Sequence, residues 1–380
     1  MDFALNEEQE LLRREVRRFA EERIAPGRRE RDRNHEFPAD IVAELGEMGL
    51  FGMLVEEEYG GGGMDPLTYC VAVEEIARIC PSTAVTMSVS NSVCCWPISR
   101  FGSADLKRAV LPELASGRAL GGFCLTEPGS GSDAAAMRST ARRDGDGWIL
   151  DGEKAWITNA GVAKWYVALA KTDPEAGKRG ITAFVVSAEW PGFSVGASED
   201  KLGLKASRTA AVRFAGLRVP DSFRLGGVGE GFKLALATLD HSRLGIAAQG
   251  VGIHQRALEL ATAYARERIQ FGVPIAEHQA VRFALARMAT ELAAARVLTY
   301  FAAIRAERSR DAGRFASEAK ALASEAANRA CFDALQIHGG NGFSEDYEIA
   351  RLFRDVRVTM IYEGTSEMQR LVVARHLLGS

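Results

Sequence analysis

The chain has 380 residues, enough for two or three domains and a large buried core, and its composition is ordinary, with 47% hydrophobic and 26% charged residues. Its 47 basic and 50 acidic residues give a formal net charge of -3 and are mixed along the chain, so neither nucleic acid nor an anionic membrane surface is implied as a partner. No eighteen apolar residues run together, and no membrane span is expected. The six cysteines, Cys70, Cys80, Cys94, Cys95, Cys124 and Cys331, lack C-x-x-C spacing and fit a reducing cytoplasm better than a disulfide framework. The start, MDFALNEEQELL, has no basic residue before Arg13, which predicts neither a secretory signal nor an Arg-rich transit peptide.

From Leu5 to about Arg118 the pattern is helical. Leu5, Leu12, Val16, Phe19 and Ala20 recur at three- and four-residue steps until Pro26, and further helices are predicted over 41–48, 67–79 and 83–98. Between 121 and about 228 the texture changes to short runs such as GWILDG, KWYVALAK, ITAFVVSA and AVRFAGLRVP, bounded by Gly, Asp and Pro, which predict strands and turns. Long Ala- and Leu-rich segments then suit a helical bundle, with helices predicted over 233–266, 278–309, 314–337 and 366–378. The expectation is a multi-domain α+β chain: a helical domain over 1–120, a β-domain over 121–228 and a helical bundle over 229–380.

Gly129-Ser-Gly-Ser-Asp-Ala134 formally matches a dinucleotide fingerprint, with Asp151 downstream. The next segment, RSTARRDGDGW, is polar and turn-bearing rather than a crossover helix, and no Gly-Lys-Ser/Thr closes the stretch, so neither a Rossmann turn nor a P-loop is expected. The longer phrase from Phe123 to Asp133 brings the Thr126, Ser130 and Ser132 hydroxyls and unhindered N–H groups to one turn, which suits a flavin edge and a pyrophosphate; a plain β-turn explains it equally well. In Lys154-Ala-Trp-Ile-Thr-Asn159 the two-residue strand period puts Trp156 and Thr158 on one face, suited to an isoalloxazine ring, although a strand tryptophan alone is more often core.

Near the end stands IYEGTSEM, residues 361–368. Ser366 with Gln369 three residues on predicts a capping box for the last helix, and Gly364 gives backbone freedom before it. That does not explain an acid at Glu363, after the apolar run VTMIY. The six histidines form no H-E-x-x-H spacing, and no metal site is indicated.

Taken in order, CLTEPGSGSDA, KAWITNAG, RERIQFGVPIAEHQAV, ALQIHGGNGF and IYEGTSEMQRLVVARHL resemble the acyl-CoA dehydrogenase family over essentially the whole chain, its short- and medium-chain members most closely. The resemblance implies an N-terminal helical domain, a central β-barrel-like domain and a C-terminal four-helix bundle. FAD is expected between domains and across a subunit interface, in a homotetramer (a dimer of dimers) or a homodimer. It puts Phe123, Leu125 and Thr126 at the flavin's pyrimidine side, Gly131 and Ser132 at the pyrophosphate, and Trp156 and Thr158 near N5. From the adjacent subunit, Arg268, Gln270, Phe271, Ile275 and His278, with Gln336, Gly339 and Gly340, would hold the adenine half, and Thr365 and Glu367 complete the cofactor set. Outside the resemblance, Arg268 is an ordinary helix-end arginine and His338-Gly-Gly-Asn-Gly342 a helix stop.

The resemblance makes Glu363 the general base that takes the α-proton of an acyl-CoA thioester, with hydride leaving the β-carbon for flavin N5 and giving the trans-2-enoyl product. Some relatives place the base where this chain has Ser242, which cannot serve. Ser132, Leu239, Asp240, Arg243, Tyr362 and Gly364 are the expected substrate contacts; Asp240 is read equally as an ordinary helix-surface charge. Electrons are expected to pass to an electron-transfer flavoprotein. The alternatives are an acyl-CoA or nitroalkane oxidase using oxygen, an inactive flavin- or acyl-CoA-binding scaffold, and a carrier-protein thioester in place of CoA. Val85, Val89 and Val93, at i, i+4 and i+8, are a core stripe by periodicity and an acyl-pocket wall by resemblance.

Overall fold

Asn6 starts the first helix: its side chain accepts from the Gln9 N–H at 2.8 Å, and the Asn6 N–H donates back to the Gln9 side chain at 3.1 Å. The structure, a computed structural model, describes residues 4–306 and 308–379, so the first three residues of MDFALNEEQELL lie outside the description. α1 (Glu7–Phe19) runs on through a π turn to Ile24 and is followed by α2 (Arg28–Asn34), α3 (Ala39–Glu47), α4 (Pro66–Ile79), α5 (Pro81–Val89), α6 (Trp96–Phe101) and α7 (Ala104–Ala115). The helix predicted over 83–98 is continuous but changes type in its middle. Ser90–Cys95 make a π turn between α5 and α6, and Pro97, which has no N–H to give, sits in the first turn of α6.

The middle of the chain forms β1 (Gly121–Cys124), β2 (Thr140–Asp144), β3 (Gly147–Thr158), β4 (Trp165–Lys171), β5 (Ile181–Ser187), β6 (Phe193–Ser198), β7 (Thr209–Pro220) and β8 (Arg224–Leu225). They pair in the order β6-β7-β3-β2-β4-β5-β8, with β1 added parallel to β4. The β4 and β5 sequences, WYVALAK and ITAFVVS, are buried at nearly every position because both faces are covered, whereas β7 alternates between buried and exposed residues. The Gly129–Ala134 stretch leads to one short 3-10 turn and then to β2, antiparallel to β3, without a crossover helix.

After the sheet come α8 (Gly231–Glu267), a small hairpin of β9 (Ile269–Gln270) and β10 (Val273–Pro274), α9 (Gln279–Arg305), α10 (Ala312–His338), α11 (Glu348–Val356) and α12 (Ser366–Leu378). The helix predicted to reach 309 ends at Arg305, with residue 307 outside the description. From Ser242 to His254 every residue of α8 is buried, since α4, α9 and α10 all pack against it. Glycine permits the closest approach: a Cβ at Gly245 would lie 2.5 Å from the Tyr69 Oη of α4. α8 and α10 run the same way, for Arg243 meets Ser317 at one end and Tyr264 stacks on His338 at the other. Among the described residues no helix is long and apolar enough to cross a membrane, and all six cysteines are buried and free.

Candidate active site

Between α11 and α12 the chain makes a turn that a run of L-residues resists. Glu363 has φ +52 and Gly364 φ +92, and a non-glycine residue in the left-handed region costs about 1–3 kcal/mol unless its surroundings hold it there. Three side chains do so. The Tyr362 hydroxyl donates to Gln249 Oε1 of α8, Lys320 Nζ of α10 donates to the Gly364 carbonyl at 2.6 Å, and Gln369 Nε2 of α12 donates to the carbonyls of Gly364 at 2.9 Å and Glu363 at 3.2 Å. The expected capping box is corrected here. Thr365, with extended backbone, is the N-cap and accepts from the Met368 N–H, while Ser366 is already helical with its hydroxyl buried and unpartnered. Gln369, expected to close that box, braces the turn instead.

The Glu363 side chain is aimed inward, and its Oε2 is buried without a hydrogen-bond partner. Burial raises the Glu363 carboxyl above its ordinary value; the Ser242 hydroxyl, then the Lys320 and Arg243 cations, pull it back without cancelling the rise. Among the described residues nothing accepts from the Glu363 N–H, so a donor and one carboxylate oxygen both stand free at one residue. Beside the turn, Tyr362 and Phe123 pack on a cluster of Val85, Val89, Val93 and Leu204, so the valine stripe stays together across the π turn and meets the residue that precedes the acid.

Arg243, one turn beyond the half-buried Leu239 and Asp240, is buried; its Nη1 donates to Asp240 and to Ser317 Oγ at 3.0 Å. Asp240 therefore has an internal partner, which neither of the two expectations for it included.

The turn after β1 and the middle of β3 meet at one bond, from the Ala155 N–H to the Thr126 carbonyl at 2.9 Å. Beneath it lies an ion pair, Lys154 Nζ to Glu127 Oε1 at 2.8 Å, with Lys154 wholly buried. β3 slips register between Lys154 and Ile157 and Trp156 takes φ +60, so the strand is bulged where the two-residue period was expected to run on, while Trp156 and Thr158 both stay more exposed than the buried Ile157 between them. That bulge turns the indole out of the core, leaving it 62% exposed beside half-buried Thr158, Thr126 and Phe123 and buried Leu125. Ser130 is not available to a ligand, since it is buried and donates to the Asp133 carbonyl at 2.7 Å. Ser132 and Gly131 are exposed, and a Cβ at Gly131 would meet nothing within 4 Å. An exposed indole, Thr126, Ser132 and Thr158 hydroxyls that are unengaged among the described residues, and an open glycine turn fit the ring and pyrophosphate of a flavin dinucleotide.

The other expected cofactor residues lie elsewhere. Arg268, Gln270 and Phe271 are exposed, Phe271 to 94%, near Ile275 and His278 after the C-terminal end of α8; Gln336, Gly339 and Gly340 are exposed at the matching end of α10. Arg243 and Arg268 are about 37 Å apart along the α8 axis at a rise of roughly 1.5 Å per residue. Arg268 therefore lies far along α8 from the surroundings of Glu363, which Arg243 borders. Thr365 and Glu367 belong to the first turn of α12, where the Thr365 oxygen is committed to capping. Sequence reasoning missed Lys320, Gln249, Gln369 in its actual role and the Lys154–Glu127 pair. Their signal was polar residues in otherwise apolar stretches, visible only once burial is known.

Residues 6–118, 122–217 and 229–378 match the family models described as acyl-CoA dehydrogenase N-terminal, middle and C-terminal domains. The chain is similar to the mitochondrial short-chain specific acyl-CoA dehydrogenase of Bos taurus, 47% identical over 376 residues that cover 99% of this chain and 91% of the bovine protein. Its fold is similar to that of butyryl-CoA dehydrogenase from Megasphaera elsdenii, with a TM-score of 0.97, 40% identity and all of both chains covered. It is also similar to a chain in a structure described as the electron transferring flavoprotein of Acidaminococcus fermentans, with a TM-score of 0.98, 42% identity and both chains covered in full.

Proposed function

Given that the chain belongs to the acyl-CoA dehydrogenase family, and is thus an FAD-dependent oxidoreductase acting on acyl-CoA, we propose that Glu363 is its general base and that its substrates are short-chain acyl-CoA thioesters. The observation that carries this reading is the Glu363 carboxyl, with a buried oxygen that among the described residues has no hydrogen-bond partner, raised above its ordinary value and next in sequence to Tyr362, which packs on an apolar valine cluster. A base that must take a weakly acidic α-proton near neutral pH works best when its pKa is tuned upward, and substrate filling the apolar wall raises it further by excluding water.

The free Glu363 N–H suits the thioester carbonyl, where a donor stabilises the negative charge that grows as the α-proton leaves. Tyr362 and Gly364, fixed by Gln249 and by Lys320 and Gln369, hold that donor and the carboxylate in one orientation. Arg243, tied to Asp240 and Ser317, adds positive charge behind the site, with Leu239 and Ser132 the remaining substrate contacts. FAD, when bound, supplies the acceptor for the hydride that leaves the β-carbon. Phe123, Leu125, Thr126, Gly131, Ser132, Trp156 and Thr158 would hold its ring side and pyrophosphate, with Thr365 and Glu367 nearby. Arg268, Gln270, Phe271, Ile275, His278, Gln336, Gly339 and Gly340 would hold the adenine side of the neighbouring subunit's cofactor in a homotetramer, which their separation from Glu363 along α8 supports. We place the domain limits at 1–120, 121–228 and 229–380, and propose an electron-transfer flavoprotein as electron acceptor and the cytoplasm as location. The likeness to the Acidaminococcus fermentans chain supports the acceptor.

The test is Glu363→Gln, which keeps the volume and removes the base. FAD content should stay parental while anaerobic flavin reduction by butyryl-CoA slows by about 100- to 10,000-fold. A parental rate sinks the assignment. Turnover of the unmodified enzyme with oxygen alone, matching that with an added electron-transfer flavoprotein, would favour an oxidase instead.

A further inference from the structure

Lys320 is wholly buried in an Ala-rich stretch of α10, where an apolar residue would pack without the cost of desolvating an ammonium group. Its hydrogen bond is to the Gly364 carbonyl at 2.6 Å, and among the described residues no carboxylate lies within ion-pair distance of it. The other cation near the base differs: Arg243 is drawn off by Asp240 and Ser317. Around Glu363 the titratable and charged groups are Arg243 and Asp240 from α8, beside the Ser242 hydroxyl, with Tyr69 from α4, Lys320 and Glu325 from α10, Glu367 from α12 and Tyr362 of its own turn.

We infer that Lys320 is a positioning residue for proton removal, which pins the left-handed Glu363–Gly364 turn through the Gly364 carbonyl and, as a buried cation not neutralised by another acid, keeps the Glu363 carboxylate ionised in the closed site. This rests on Glu363 being the base. Burial lowers Lys320 to about 8 even with the Glu363 charge opposing that fall, so the ammonium form is present over the range in which the base must work.

Losing the cation makes the Glu363 carboxylate harder to form, so its proton is held to higher pH. Lys320→Gln keeps a neutral donor, one bond shorter, directed at the Gly364 carbonyl and removes the charge; in Lys320→Met both the donor and the charge are gone. With the FAD-loaded proteins, anaerobic flavin reduction by butyryl-CoA is followed from roughly pH 5 to 9, the limbs reporting the groups that must lose or keep protons. In Lys320→Gln the acid limb should move up by about one pH unit, an approximately tenfold rate loss on the limb, with the plateau near parental. In Lys320→Met the same shift should come with a lower plateau. A lysine that only supports packing would lower thermal stability and scale the rate at every pH without moving the limb, and a parental limb in FAD-loaded Lys320→Gln overturns the inference even if Lys320→Met does not fold. Glu363→Gln measured alongside separates the two failures: parental reduction there removes the base assignment, whereas an inactive Glu363→Gln with an unmoved limb in Lys320→Gln removes only the role given to Lys320.

Discussion

Glu127 and Glu363 are both acids taken out of water at a turn, and the chain treats them in opposite ways. Glu127 accepts from Lys154 Nζ at 2.8 Å, the Arg138 N–H at 2.5 Å and the Ser139 N–H at 3.0 Å; burial pushes its carboxyl up, but these donors outweigh burial and hold it below the usual carboxylate range. Glu363 has one oxygen with no donor at all, and its carboxyl stays raised. Burial alone does not mark a reactive acid. The number of donors left to it does: a saturated carboxylate fastens two pieces of chain, and an unsaturated one remains available to a proton.

The sharpest way to break this comparison is to neutralise each acid in turn. Glu363→Gln, with its activity loss of orders of magnitude, should leave the melting temperature parental or slightly higher, because the burial cost of the ionised carboxyl outweighs what Ser242, Lys320 and Arg243 return to it, and the neutral amide carries no such cost. Glu127→Gln should do the reverse: it leaves Lys154 buried without its counter-ion, at a cost of about 3 kcal/mol, and lowers the melting temperature and FAD retention together. Equal thermal shifts in the two variants, by calorimetry, would show that the acids differ less than their donors suggest.

A smaller effect is expected at the far end of α8. Arg268 is exposed and among the described residues has no ion pair, so Arg268→Ala should change stability by no more than about 0.5 kcal/mol. FAD affinity, measured by cofactor release on dilution, should fall about tenfold if the guanidinium meets a phosphate. Retention of FAD at parental affinity would remove Arg268 from the cofactor site. The smallest effect concerns chain length. Each buried methylene is worth about 0.8 kcal/mol, roughly fourfold in kcat/KM until the chain meets the wall. Val89→Phe should move that turning point to shorter acyl groups in a series from butyryl- to palmitoyl-CoA. An unmoved turning point would make the valine stripe core and nothing more.

Long helices and buried strands were legible because their apolar residues repeat, as in the stretches that became α4, α8, β4 and β5. α2 escaped because RRERDRN buries only Asp32, and α11 because EIARLFRDV is short and buries Arg351 and Asp355 beside Ile349, Ala350, Leu352 and Val356: Arg351 pairs with Asp355, and Arg354 with Asp32, in ion pairs that no periodicity reveals. The Glu363 turn was legible as an acid after an apolar run and before a glycine. Its bracing was not, since Lys320, Gln249 and Gln369 reach it from three helices distant in sequence. Trp156 stands at a bulge, and a bulge that redirects a side chain leaves no mark in a two-residue alternation.

α8 joins the surroundings of Glu363 at one end to Arg268 at the other, and in the proposed assembly that makes every subunit both an owner and a donor. Damage at the near end disables a subunit's own centre; damage at the far end disables its neighbour's. Two crippled proteins can then repair each other. When Glu363→Gln and Arg268→Ala chains are co-expressed, a subunit with intact Glu363 sits in some assemblies against a neighbour with intact Arg268. The mixture should therefore hold FAD and turn over beyond the average of the two variants made separately, a form of complementation that a cofactor held within a single subunit would never display.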